Sequence, residues 1–244
     1  MEFSRIFEIL KSPTRTTRFF KRVARDSRLW SSRKNFLDYY SHVVDSYAVN
    51  VCPDRAVGSD SHEHWLSIGR FQFDFLVTHG LQSKHRFLDI GCGNLRLGAC
   101  VIPYLDELGY VGIDISPRIV TAALDTIRSF KLQNKLPRIF LVSETNYEFF
   151  PDNYFDVVNA HSVFSHLPAE EIEKVLREAY RVLKPGGWFD FTFKPGAKIS
   201  DYLKEDFFFP EQFLLELATK CGYQPQPLKD WVYAQDKIRA IKPN

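Results

Sequence analysis

The stretch Phe87-Leu88-Asp89-Ile90-Gly91-Cys92-Gly93-Asn94-Leu95-Arg96-Leu97-Gly98 decides how the rest of this 244-residue chain is read. A short apolar run ends near an acid, passes through Gly-x-Gly and enters a longer apolar-patterned stretch. That order describes a strand, a tight turn and a helix, with the turn at the carboxyl edge of a parallel sheet, where open α/β folds bind ligands. Gly91 and Gly93 let the backbone turn sharply and let a ligand lie against it with no Cβ in the way. The next apolar run ends in Asp114, 21 residues beyond Gly93, where a carboxylate can accept hydrogen bonds from both hydroxyls of a ribose. The expected ligand is therefore of the adenosine type. A dinucleotide fingerprint would need glycine where Arg96 stands, and Gly98 comes two residues too late. A phosphate-binding loop is excluded because no Gly-Lys-Ser/Thr follows.

Outward from this segment, short apolar runs alternate with amphipathic ones. RFLDI (86–90), YVGID (110–114), RIFLV (138–142), FDVVNA (155–160) and WFDFTF (188–193) read as buried strands. Leu95–Leu108, Pro117–Lys131 and Ala169–Leu183 read as helices, the last with Ile172, Val175, Leu176, Ala179 and Leu183 on one face. The pattern predicts an α/β, Rossmann-like, doubly wound sheet that is mostly parallel. Near the end, Pro210 opens a helix that Gly222 closes. Two extended segments, roughly 224–233 and 236–242, then follow too closely for a crossover, so they are expected to form an antiparallel hairpin. Before residue 86 there are no strand-like runs. Trp65–Leu81 has helical spacing and meets Gly80, so residues 1–65 are read as a helical, basic arm or lid and 66–244 as the catalytic domain.

Over roughly residues 66–242 the sequence resembles the class I S-adenosylmethionine-dependent methyltransferases. Asp89-Ile90-Gly91-Cys92-Gly93 is similar to their first motif and Gly112-Ile113-Asp114-Ile115-Ser116 to the ribose-binding strand end. Ser143-Glu144-Thr145 stands where that family keeps an acid for the adenine amino group. Phe155-Asp156-Val157-Val158 with Ser162-Val163-Phe164-Ser165-His166-Leu167-Pro168, and Arg181-Val182-Leu183-Lys184-Pro185-Gly186-Gly187, are similar to the fourth strand with its loop and to the turn into the fifth. The resemblance implies a seven-stranded sheet, S-adenosyl-L-methionine as cofactor and S-adenosyl-L-homocysteine as product. It implies that Asp89 and the Gly91-Cys92-Gly93 backbone hold the methionine end, Asp114 the ribose, Ile115 an adenine face, and Glu144 with Thr145 the adenine edge. Ala160 and His161 would lie near the sulfur.

His161 and His166 flank the loop facing the cofactor and are the candidate general bases, although a local hydrogen bond fixing the loop is the simpler role for His166. His62-Glu63-His64 offers two histidines but no third metal ligand, and its Ser/Asp neighbours read as a loop, so no metal is expected. Phe207-Phe208-Phe209 reads as core packing in preference to a substrate pocket. Tyr39, Tyr40 and Tyr47 are candidate lid residues.

Composition is that of an ordinary globular protein, 45% hydrophobic and 25% charged, with a net charge of +2. Residues 1–36 hold ten Lys/Arg against three acids, a local +7 that leaves −5 for the rest. A solvated helical arm, with Phe19, Val23 and Trp30 packing on the catalytic domain, is the first reading of that segment; peripheral contact with an anionic membrane is the second. The acidic balance elsewhere disfavours nucleic acid. Four dispersed cysteines without a C-x-x-C pair, and no apolar run of membrane-spanning length, fit a cytoplasmic protein. The expected reaction is methylation of a small-molecule acceptor such as a natural product, a sugar or a lipid head group, oxygen before nitrogen. The alternatives are methylation of a membrane lipid or RNA recruited by the basic arm, and a non-catalytic module that keeps the cofactor fold.

Overall fold

The computed structural model describes residues 35–50, 52–145, 147–202 and 205–244, except for the side chains of Tyr47, Val49 and Asn50. The basic arm, including Phe19, Val23 and Trp30, lies outside the described residues. Helices α1 (Phe36–Asn50), α2 (Pro53–Ala56) and α3 (His62–Thr78) come first. Strands and helices then alternate: β1 (Phe87–Ile90), α4 (Gly98–Tyr104), β2 (Tyr110–Asp114), α5 (Pro117–Ser129), β3 (Arg138–Leu141), β4 (Phe155–Ala160), α6 (Ala169–Val182) and β5 (Leu183–Pro195). The chain ends with β6 (Ser200–Tyr202), β7 (Asp206–Phe209), α7 (Glu211–Lys220), β8 (Gln224–Pro227) and β9 (Asp236–Ile241).

The main sheet runs β3-β2-β1-β4-β5-β9-β8, parallel through β5 and antiparallel at β5/β9 and β9/β8. This is the expected seven-strand arrangement with its terminal hairpin. A two-stranded ribbon, β6/β7, adds to it: β7 pairs with Lys194 and Pro195 at the far end of β5. Phe207 and Phe209 of that ribbon are buried in the core, as expected for packing residues.

Helices cover both faces because the central strands are apolar on both. Phe189, Phe191 and Phe193 of β5 join the face built on Ile172, Val175, Leu176 and Ala179 of α6. Phe87 and Tyr110 join the opposite face with Val101, Ile102 and Ala123. Helix α6 carries Glu170 and Glu171 in its first turn and Arg181 in its last, matching the helix dipole. It stops at Val182, so Leu183 is the first residue of β5 and not the last of the helix. Edge strand β8 accommodates Pro225 and Pro227 because it pairs only with β9. The Leu228 amide makes the last bond to β9, on the Lys237 carbonyl, so the first arm of the hairpin is a four-residue strand and not the expected ten.

Three further expectations change. Helix α4 begins at Gly98 and not Leu95, because Leu95 takes a left-handed backbone (φ 64°) with its side chain wholly buried. His62-Glu63-His64 is the first turn of α3, capped by Ser61 accepting from the His64 amide, and not a loop. Helix α3 crosses position 65/66, where the arm and the catalytic domain were divided.

Candidate active site

Beyond the carboxyl ends of β1, β2 and β4 lies a cavity of about 570 Å³, within the range of small-molecule sites. Its floor is the turn after β1. Gly91 and Gly93 both take left-handed φ (64° and 59°). A Cβ on Gly91 would meet Val163 Cγ2 at 2.6 Å, and one on Gly93 would meet Val57 Cγ1 at 3.0 Å. Asp114, buried at the end of β2, fixes this turn: Oδ2 accepts from the Gly93 amide at 3.0 Å and Oδ1 from the Ser116 amide at 2.9 Å. The two acidic strand ends and the glycine turn thus line one cavity.

Asp89 is buried beneath the turn. Its Oδ2 accepts from the Tyr110 hydroxyl and its Oδ1 from Asn159 Nδ2, both at 2.8 Å. Neither partner was found from the sequence, although both follow from register. Asn159 faces Asp89 across β1/β4, and Tyr110 faces Phe87, which shares a sheet face with Asp89. Burial raises the Asp89 pKa to about 6, against the pull of those two hydrogen bonds. The sign follows directly. The native state holds this proton more tightly than the unfolded chain, so the contribution to stability is full below about pH 4 and is lost as pH rises through about 6. A ligand ammonium, by contrast, needs the carboxylate. Affinity for S-adenosylhomocysteine is therefore expected to rise between pH 5 and 7, and Asp89→Asn to flatten that rise in a calorimetric pH series. An equally steep profile in the variant would assign the proton elsewhere.

Helix α1 forms the roof. Leu37, Tyr40, Val43 and Val44 line the cavity, the Ser41 hydroxyl donates to the Ile115 carbonyl at 2.8 Å, and Asp45 accepts from the Ser116 hydroxyl. Of the candidate lid tyrosines, Tyr40 lines the cavity, Tyr39 is buried and the Tyr47 side chain is outside the described residues. Ile115, the exposed Glu144 and Thr145 lie along the cavity edge on the Asp114 side, and Cys92 lines it beside the turn. Ala160 does not line it: the residue is fully buried in the core, and Asn159 and His161 on either side face the cavity instead.

The two histidines differ. His166 Nδ1 lies 2.6 Å from the Glu205 carbonyl and 3.4 Å from Asp206 Oδ1, with its ring stacked on Tyr40. A carbonyl only accepts, so Nδ1 carries the hydrogen and Nε2 the lone pair. Burial outweighs Asp206 and brings the His166 pKa down to about 4. At neutral pH it is an uncharged hydrogen-bond acceptor and a weak store for a proton. His161 stands near Trp231 and Tyr233, and burial, with Arg96 and Lys237 nearby, holds its pKa well below the ordinary value.

A wall that the sequence did not reveal comes from the loop between β8 and β9. Tyr233, Ala234 and Gln235 line the cavity. Gln235 accepts from Thr192 Oγ1 and donates to Ser162 Oγ, and the Ser162 amide donates to the same Thr192 oxygen. These bonds fasten the loop after β4 to β5 and to the C-terminal segment. All four cysteines are free. Among the described residues, no group of His, Cys, Asp or Glu is placed to hold a metal ion, and no helix is long and apolar enough to cross a membrane.

A parallel sheet with a reversed final strand, a glycine turn on its first strand and a buried acid on its second make a site suited to a nucleoside-type ligand. Residues 88–189 match the family model described as a methyltransferase domain. The chain is 29% identical over 176 residues to mouse (Mus musculus) tRNA N(3)-cytidine methyltransferase METTL6, covering 62% of this chain and 60% of that protein. It is 27% identical over 138 residues to Arabidopsis thaliana phosphoethanolamine N-methyltransferase 1, covering 54% of this chain and 27% of that one. Magnesium protoporphyrin IX methyltransferase (ChlM) from Synechocystis PCC 6803, solved with bound SAM, shares the fold at a TM-score of 0.63 and 15% identity, covering 86% of this chain and 99% of that one. The chain thus spans about 60% of the length of the first curated relatives it matches. Residues 88–189, about two fifths of the chain, thus resemble a methyltransferase domain, and the fold is shared with a methyltransferase solved with bound SAM. With first relatives that methylate tRNA by name, the expectation that nucleic acid is disfavoured as a partner has no support.

Proposed function

We propose that this chain transfers a methyl group to a small polar acceptor taken in beneath α1, with a hydroxyl oxygen as the first choice of acceptor atom and nitrogen the second. One observation carries the reading: the cavity is roofed by α1 and walled by the β8–β9 loop. Its far end is bounded by Tyr40, His166, Tyr233 and Gln235, with Lys194, Glu205 and Asp206 beside His166. The cofactor fits the other end. Asp89, Asp114 and the Gly91-Cys92-Gly93 turn line it, and this set of groups suits a nucleoside with an amino-acid tail.

In this reading Asp114 holds the ribose hydroxyls, Ile115, Glu144 and Thr145 border the adenine, and Asp89 with the Gly91-Cys92-Gly93 backbone holds the methionine end. When bound, S-adenosylmethionine supplies a methyl carbon made electrophilic by its sulfonium. The protein's task is then alignment: holding the acceptor in line and excluding water. His166, anchored through Nδ1 on the Glu205 carbonyl, offers Nε2 to orient an acceptor hydroxyl. His166→Ala is expected to lower kcat by about a hundredfold, the lower end of the range for proton-handling groups, with S-adenosylhomocysteine affinity unchanged. An unchanged rate at saturating acceptor removes His166 from the site chemistry.

A second reading, methylation of tRNA, is favoured by the names of the first relatives and by the basic residues 1–36. Methyl-labelled cofactor offered with a cell extract separates the two. Label in the small-molecule fraction supports the first; label in RNA that RNase releases overturns it. Cytoplasmic placement and contact of residues 1–36 with a membrane surface belong to the same proposal; deleting those residues should leave activity on a soluble acceptor intact.

A further inference from the structure

At the far end of the cavity three ionisable side chains gather around one carboxylate oxygen. Asp206 Oδ1 accepts from Lys194 Nζ at 2.7 Å and lies 3.4 Å from His166 Nδ1, whose hydrogen goes to the Glu205 carbonyl at 2.6 Å. The three come from separate elements: Lys194 from the end of β5, Asp206 from the start of β7, which pairs with β5 there, and His166 from the loop after β4. His166, Lys194 and Asp206 all line the cavity, with 28%, 27% and 30% of their side-chain surface open. The Nδ1 edge of the His166 ring is taken up by the Glu205 carbonyl and Asp206, and one ring face by Tyr40. Its Nε2 carries no hydrogen bond among the described residues and is not occluded.

An ion pair set into a cavity wall adds little stability, because desolvation offsets most of the attraction. Its value here lies in where positive charge goes. In methyl transfer to a hydroxyl, the acceptor oxygen gives a lone pair to the methyl carbon, the carbon–sulfur pair stays on sulfur, and the O–H proton passes to the Nε2 lone pair. An ether, a thioether and an imidazolium result, and the proton reaches water as the products leave. A methylated oxygen that still holds its proton is a far stronger acid than an imidazolium, so even a weakly basic ring takes that proton. The imidazolium then needs an anion on its Nδ1 side, where Asp206 stands. Before the transfer the ring is neutral, and Asp206 would be a bare charge in the wall without Lys194.

We propose that Asp206 is a positioning residue of this site, the counter-ion of His166 once the ring has taken the acceptor proton, and that Lys194 holds Asp206 until then. The inference rests on the hydroxyl-acceptor reading above. The charged groups facing the ring are Glu205 and Asp206 at the entry to β7 and Lys194 of β5, while α1 presents Tyr40. Burial disfavours the ring's proton, Asp206 favours it and Lys194 opposes it.

The test uses the full chain without ligand, its histidines labelled at a ring carbon, and follows the His166 signal by NMR against pH. His166→Gln assigns the signal, and melting temperature checks that each variant is folded. Wild type should titrate at about 4. Lys194→Met leaves Asp206 to His166 and should raise the midpoint by about one pH unit or more, at least a tenfold gain in proton affinity and the scale of an opposite charge at this range. Asp206→Asn added to Lys194→Met should bring the midpoint back to wild type or below. An unmoved midpoint in Lys194→Met, or a rise that the double variant keeps, overturns Asp206 as the counter-ion. With methyl-labelled cofactor and the small-molecule fraction of a cell extract at pH 7, Asp206→Asn should slow labelling at least about tenfold; labelling at the wild-type rate overturns the proposal even where the titrations agree. The two levels of failure separate cleanly. An unchanged rate in His166→Ala overturns the proton transfer and the hydroxyl reading with it, whereas uncoupled titrations overturn the role of Asp206 and leave that reading standing.

Discussion

Asp114→Ala is expected to weaken S-adenosylhomocysteine binding by about a hundredfold or more in a calorimetric titration. Two ribose hydroxyls lose a charged acceptor, at about 1.5–3 kcal/mol for each hydrogen bond. The same carboxylate also ties the Gly93 and Ser116 amides together, so the variant loosens the turn against which the ligand lies. Asp114→Asn separates these effects. Its amide oxygen still accepts one backbone hydrogen bond while the charge is gone, so its affinity should fall between wild type and Ala. Wild-type affinity in both variants would show that the ribose is held elsewhere.

The largest effect on stability is expected at the other end of the sheet. Asp190 of β5 is completely buried, directly across from Arg239 of β9. The guanidinium meets both carboxylate oxygens at 2.8 Å, donates through Nη1 to the His79 carbonyl at 2.8 Å, and lies over the Trp188 ring. Arg239→Met leaves a buried carboxylate without its hydrogen-bonded cation, Lys237 remaining only as a more distant charge, a change of about 3–5 kcal/mol. Chemical denaturation should show that loss, and Asp190→Asn added to Arg239→Met should recover part of it by removing the stranded charge. A single variant within about 0.5 kcal/mol of wild type, the range of ordinary surface substitutions, would mean that Asp190 simply takes up a proton at little cost.

What the sequence disclosed and what it hid have physical causes. Parallel strands buried on both faces read as continuous apolar runs, which is why YVGID and FDVVNA have the same bounds in sequence and structure. The turn chemistry of Gly91 and Gly93 is equally local. The β6/β7 ribbon was hidden because SDY carries no apolar run and its strand exists only by pairing with β7. At the end of β4, face alternation was the missed signal: Asn159, opposite Asp89, looks into the site, while the neighbouring Ala160 turns to the core. Tyr233 and Gln235 reach the cavity from some 70 residues beyond His161 and Ser162, a closure that no short-range periodicity records.

The placement of β9 between β5 and β8 bears on how the chain is made. During synthesis, domains fold from the amino-terminal side as the chain emerges, yet the inner edge of β5 stays uncovered until Ile241 has left the ribosome. Until then the nascent protein presents an open strand rich in phenylalanine, a template for unwanted pairing. The acid at its middle, Asp190, keeps a charge on that edge while it is bare, and loses its exposure to water only when Arg239 arrives to meet it.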